Sequence, residues 1–136
     1  RKARTMENKK VFAGKYPIRV GDINYGGHMG NDRSLLLFHD ARIHFLEGLG
    51  FSESNIGGPG IIMAEAHVFF RREVFRGDVL SAYVHITDIR ELSFVMHYSL
   101  MRDDEEVLHG HTKLIAYDYE RGRVTKLPEA FVAKIT

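Results

Sequence analysis

A chain of 136 residues with 44% hydrophobic side chains matches one globular domain with a modest core, so residues 1–136 are read as a single domain. Nineteen basic and 18 acidic residues leave a formal charge of +1, which argues against a nucleic-acid partner. The lack of cysteine excludes disulfides and thiol nucleophiles and permits a cytoplasmic location, and no apolar stretch is long enough to make a membrane a partner.

Residues 1–12 read as a flexible or peripheral segment. Their basic cluster of Arg1, Lys2, Arg4, Lys9 and Lys10 has no apolar run behind it, so it is expected to be a solvated tail rather than a leader or anchor. Residues 16–20 read as a first short strand that delivers the chain into residues 22–32, DINYGGHMGND. This stretch packs acid, amide, imidazole and three glycines ahead of an apolar segment. Gly26, Gly27 and Gly30 permit turns and close approaches that a side chain would block. The glycines alone would suit an ordinary turn equally well.

From about residue 32 to 49 the pattern is helical, and Leu35, Leu36, Leu37, Phe38, Ala41, Ile43, Phe45, Leu46 and Leu49 cover most of the circumference. Such a helix is expected to be largely buried, with Asn31 as N-cap, Asp32 at the positive dipole end and Gly50 as the stop. Residues 52–60, with Asn55, Gly57, Gly58 and Pro59, read as a loop. The period then switches to two in residues 61–70, 78–87, 91–101 and 106–118, with turns at 88–90, 102–105 and 121–122. One strand, a long apolar helix and four long strands make an α+β chain. The helix can bury all its sides only if an antiparallel sheet of about five strands curls around it, or if a partner subunit covers the rest. Either arrangement suggests a hotdog fold, a central helix wrapped by a curled sheet.

The residues that carry a family resemblance are Gly21-Asp22-Ile23-Asn24, the GGHMGN segment, Ala41-Arg42 in the helix, Gly77-Asp78, Ser93-Phe94 and Leu127-Pro128. In that order they resemble the hotdog-fold acyl-CoA thioesterases of the 4-hydroxybenzoyl-CoA thioesterase type. The resemblance implies a homodimer with helices side by side and sheets joined edge to edge, often paired again into a homotetramer, with active sites at the subunit interface. It implies an acyl-CoA or acyl-carrier-protein thioester as substrate, and no cofactor or metal. By position it also implies the backbone N–H of Asn31, with Gly30 adjacent, as oxyanion donor, and Arg90 before Ser93 as a contact for the coenzyme.

One departure matters. Asn24 stands where the 4-hydroxybenzoyl-CoA enzymes carry a catalytic aspartate, and an amide is neither nucleophile nor base at neutral pH. Other relatives, among them the plant-type acyl-carrier-protein thioesterases, combine an amide with a histidine, which resembles Asn24 with His28. Thioester hydrolysis asks little, since a thiol pKa near about 8.5 makes the thiolate a good leaving group. An oxyanion hole and an activated water suffice. Asn24 would orient water or carbonyl, and His28 or Asp22 would take the proton, with an imidazole of ordinary pKa about 6.5 the better match. A packing role for His28 and an Asx-turn or ion pair for Asp22 are the competing readings.

Glu65 interrupts an apolar strand, shares a face with His67, and is a further catalytic candidate beside the reading of a satisfied polar pair. His39 replaces a carboxylate common in relatives. His109 and His111 share a strand face, where a solvated surface is the competing reading to a metal pair. Arg71, Arg72 and Arg76 offer alternative coenzyme contacts or a charged edge. Two other functions stay open: a hotdog enoyl-thioester hydratase, against which the Asn24 to His28 spacing is one residue too long and Tyr25 replaces a proline, and an acyl-thioester binder without catalysis.

Overall fold

The structure, a computed structural model, describes residues 9–23 and 31–136, and of Asn31 the backbone alone. Its elements in chain order are β1 (Val11–Pro17), a 3-10 turn (Val20–Asp22), α1 (Asn31–Gly48), β2 (Gly60–Phe70), β3 (Val79–Thr87), β4 (Ser93–Arg102), β5 (Glu105–Asp118), β6 (Arg123–Val124) and α2 (Glu129–Ile135). The strands form one antiparallel sheet in the order β1-β3-β4-β5-β2, with β6 added to β5. This is the hotdog fold, an α+β arrangement in which the sheet curls around α1. Among the described residues the five strands of this path match the expected sheet of about five, and the two-residue β6 extends it.

Alternation builds the core. Leu80, Ala82, Val84 and Ile86 of β3, Phe94, Met96, Tyr98 and Leu100 of β4, and Leu108, Thr112, Leu114 and Ala116 of β5 are all buried on the face that receives α1. From α1, Phe38, Ala41, Arg42, Phe45 and Leu46 turn inward at helical spacing. The Phe38 ring lies parallel to Tyr98 with centroids 4.4 Å apart, and the fit requires Gly110 on the neighbouring strand. A Cβ at Gly110 would lie 2.7 Å from the Phe38 ring and against the His67 carbonyl. Burying a side chain of this size contributes about 1.5–3 kcal/mol.

Several expectations shift. The first strand is β1 at Val11–Pro17, not residues 16–20, so residues 11 and 12 belong to the sheet rather than to a peripheral segment. Gly14, at φ 118°, marks a bulge there that lets the Tyr16 ring fold back over the strand. Asn31, read as the N-cap, lies within the helix as described. Within one chain α1 is not buried all round, since Leu35 and Leu36 are 41% and 52% exposed. The short helix α2, absent from the sequence reading, inserts Phe131 between Phe51 and Phe94 and closes one end of the core.

Candidate active site

Asp22 ends the 3-10 turn. One carboxylate oxygen accepts the backbone N–H of Arg19 at 2.9 Å, and the other faces Nε of Arg33, on the first turn of α1, at 3.8 Å. The residue therefore ties together the two flanks of segment 24–30. Asn24, His28 and Gly30 lie in that segment, outside the described residues, as do Gly26 and Gly27. Asn31 opens α1, so its N–H belongs to the helix end whose first amides lack intrahelical acceptors and whose dipole is positive.

Further along α1 the helix is anchored by a buried polar group. Arg42 is 7% exposed, and its Nε donates to Glu53 Oε2 at 2.7 Å while Nη1 donates to the Tyr98 hydroxyl at 2.8 Å. Having accepted from Arg42, Tyr98 can donate its proton to Thr112 Oγ1, 2.7 Å away. Burial pushes the Tyr98 phenol up, so it stays neutral. Burial opposes the Arg42 charge, but Tyr98 and Glu53 outweigh it and hold the guanidinium protonated. No buried side-chain polar atom among the described residues lacks a partner. The other oxygen of Glu53 meets Nε2 of His39 at 2.6 Å, and its carbonyl accepts from Ile61. A histidine on α1 thus meets a carboxylate on the loop, which gives His39 its physical account.

This Arg42, Glu53, Tyr98 network escaped the sequence reading. Its signal was an arginine four residues after Phe38, on the core face of an apolar helix, where a cation needs a carboxylate. The loop before β2 is shaped by Asn55, whose Oδ1 accepts from the N–H groups of Gly57 and Gly58, both at positive φ.

The remaining candidates stand apart from Asp22. Glu65 and His67 share a strand face with Nε2 to Oε1 at 3.4 Å, as expected from their spacing. By register with Lys113 and His111 that face is the one turned away from α1. Arg90 is exposed in the β3–β4 turn, its N–H bonded to the Ser93 carbonyl at 2.8 Å and its guanidinium 3.9 Å from Asp88. Ser93 is 8% exposed at the start of β4. Arg71 and Arg72 pair with Glu106 and Glu105, and Glu105 also takes Arg102, as on a charged edge. His109 and His111 do share a face, where their rings lie against Phe69 and His67. No group of three donors among the described residues is placed to hold a metal.

Two surface depressions flank the loop before β2. One, of about 410 Å³, is lined by Gly50, Phe51, Ser52, Asn55 and Gly57, and the other, of about 470 Å³, by residues including Ser54, Pro59 and Tyr119. Neither includes Asp22 or Asn31 in its lining. By contrast, β2 forms an open edge of the sheet, and Met63, Phe69 and Phe70 on it are 46–48% exposed. No described helix is long and apolar enough to cross a membrane.

Comparisons with known proteins agree with this fold. The chain is 27% identical over 123 residues, 83% of its length and 80% of the relative's, to a 1,4-dihydroxy-2-naphthoyl-CoA hydrolase from Synechococcus sp. (strain WH7803). The solved 1,4-dihydroxy-2-naphthoyl-CoA thioesterase from Synechocystis superposes with a TM-score of 0.81 at 18% identity, covering 93% of this chain and 96% of that one. A Staphylococcus aureus protein solved in complex with CoA gives 0.83 at 19% identity, covering 98% and 85%. The family model of the thioesterase-like superfamily matches residues 18–135, nearly the whole domain described above, and the chain belongs to that superfamily.

Proposed function

We propose that this chain is an acyl-CoA thioesterase that acts on an aromatic, hydroxylated acyl group and works as a homodimer or a pair of homodimers. The observation that carries this reading is the start of α1 at Asn31, flanked by the Asp22 clip to Arg33 on its first turn. A rigid helix end presents fixed N–H dipoles to a developing oxyanion without reorganisation. In the reaction, water attacks the thioester carbonyl carbon, and the oxyanion rests on the Asn31 N–H with Gly30 adjacent. His28 takes the water's proton and Asn24 orients the water or carbonyl. Collapse of the intermediate breaks the C–S bond and releases the coenzyme thiolate and the free acid.

Engagement of both Asp22 oxygens by Arg19 and Arg33 speaks against Asp22 as the base, and in this reading the role falls to His28. Glu65 faces away from its own α1, so a catalytic part for it requires the partner subunit. In this reading Arg90, exposed beside buried Ser93, contacts the coenzyme's phosphates. The dimer reading is supported by the open β2 edge and by exposed Leu35 and Leu36 on α1, which together leave too much apolar surface for a monomer. The substrate class is supported by the activities of the relatives, which are named for CoA rather than a carrier protein. A cytoplasmic location belongs to the same reading.

The test is thiol release from a panel of hydroxyaroyl-CoA and straight-chain acyl-CoA thioesters, with enoyl absorbance followed in parallel. Faster release from the hydroxyaroyl members is expected. Hydration of an enoyl thioester without thiol release would overturn the assignment.

A further inference from the structure

Outside the proposed site, the sheet carries an alignment that thioester hydrolysis does not use. His85 of β3 stands opposite His97 of β4, His97 opposite His111 of β5, and His111 opposite His67 of the edge strand β2. All four project from the face turned away from α1. Their ring centroids are spaced 4.4, 5.5 and 4.4 Å along the row, and the outer two pairs are stacked at interplanar angles of 9° and 22°. One unbroken line of imidazoles therefore crosses four strands and ends at the open edge.

We propose that this row is a proton-operated switch, neutral and stacked near pH 7.5, that loosens the outer sheet and the hold of β2 on β5 as the pH falls toward 5. Stacked neutral rings attract through offset π contacts, whereas adjacent imidazolium ions a few ångströms apart repel. His97 in the middle meets a charge on either side whenever His85 or His111 is protonated.

The groups around the row decide where protons go first. Glu65 lies 3.4 Å from His67, with Lys113 in register opposite it. Thr87 donates its hydroxyl proton to Asp88 at 3.0 Å and so is left to accept from Nε2 of His97 at 2.7 Å, which links that ring to a carboxylate. Lys10 faces His85, and His109 faces His111. Carboxylates therefore flank the row at two points, Asp88 through Thr87 beside His97 and Glu65 near both His67 and His111, while Lys10 and the neighbouring histidines oppose its charging.

Partial burial, with Lys10, depresses His85. Burial and the neighbouring histidines depress His97 and His111, partly offset by Asp88 and Glu65 respectively. Because the folded values lie below the ordinary value of about 6.5, the stability they contribute is complete above that pH and is lost as pH falls through the lowered folded values.

The switch makes two measurable claims, neither of which depends on hydrolysis. First, in an imidazole NMR titration of the folded protein, His97 should titrate below the ordinary range and move upward in His111→Gln, which removes a charged neighbour. Should that variant fail to fold, His85→Gln at the other flank carries the same expectation. Second, the unfolding equilibrium constant of the parent should rise about tenfold or more between pH 7.5 and 5.5, with amide exchange accelerating first in β2. In a His97→Gln, His85→Gln variant the rise should be much smaller. A His97 titration that ignores its neighbours, or the same pH slope in parent and variant, overturns the proposal.

Discussion

Replacing Arg42 with methionine removes the buried cation on which α1, β4 and the loop before β2 converge. Two partners are left behind. Glu53 has a side chain 28% exposed and keeps His39, so it regains part of its solvation, while Tyr98 loses an accepted bond and retains Thr112. Breaking a buried ion pair by removing one partner costs about 3–5 kcal/mol, and the partial exposure of Glu53 brings the expected loss to about 2–3 kcal/mol. That is roughly a 30- to 160-fold rise in the unfolding constant. Tyr98→Phe leaves the Arg42 Nη1 and Thr112 hydroxyl short of a partner and should cost about 1–2 kcal/mol. Since both changes break the same Arg42 to Tyr98 bond, the double variant should lose about 1 kcal/mol less than the sum. Urea denaturation of the four proteins measures the cycle. A loss under about 0.5 kcal/mol for Arg42→Met, against that 3–5 kcal/mol scale, or strict additivity, would refute the anchoring of α1 by this network.

Gly110→Ala forces a Cβ against the Phe38 ring and the His67 carbonyl, so a loss of about 3 kcal/mol is expected, read as a Tm lower by roughly 8 °C or more. An unchanged Tm would show that Phe38 and Tyr98 are not stacked over that strand. His28→Ala should lower turnover by about 10²-fold while the fold survives, as for a lost general base. If turnover stays within about threefold of the parent, on that same scale, the base is to be sought at Asp22 or Glu65. Light scattering should give a dimer or tetramer, and a stable, fully active monomer would contradict the interfacial site.

Much of the architecture was legible because period and turn signals agree. Residues 61–118 alternate so regularly that the four long strands emerge within two residues of their expected ends. The phase of α1 was not legible. Apolar residues surround the whole helix, and nothing in one sequence separates Phe38 and Phe45, which meet the sheet, from Leu35 and Leu36, which stay exposed. The position of β1 was obscured by Gly14, whose bulge breaks the alternation, and by the basic residues before it, which read as tail. Seven residues are too few for a helical period, so α2 passed unnoticed although Phe131 and Ile135 lie four apart. Arg42 and Glu53 are 11 residues apart on different elements, and the four aligned histidines become a row only through strand register. The Asp22 to Asp32 stretch was visible at once through its glycines and polar residues, and of it the structure describes Asp22, bonded to the Arg19 N–H and facing Arg33.

Asn24 is the departure on which the catalytic reading turns, and thiol release by the parent and by Asn24→Asp on one hydroxyaroyl-CoA, across pH, tests it most directly. An enzyme that works through oriented water already hydrolyses the thioester as the parent, and the aspartate variant then alters the rate and its pH profile without creating activity. A parent inactive on every thioester, with hydrolysis switched on in Asn24→Asp, would instead make this chain a binder that lacks its acid.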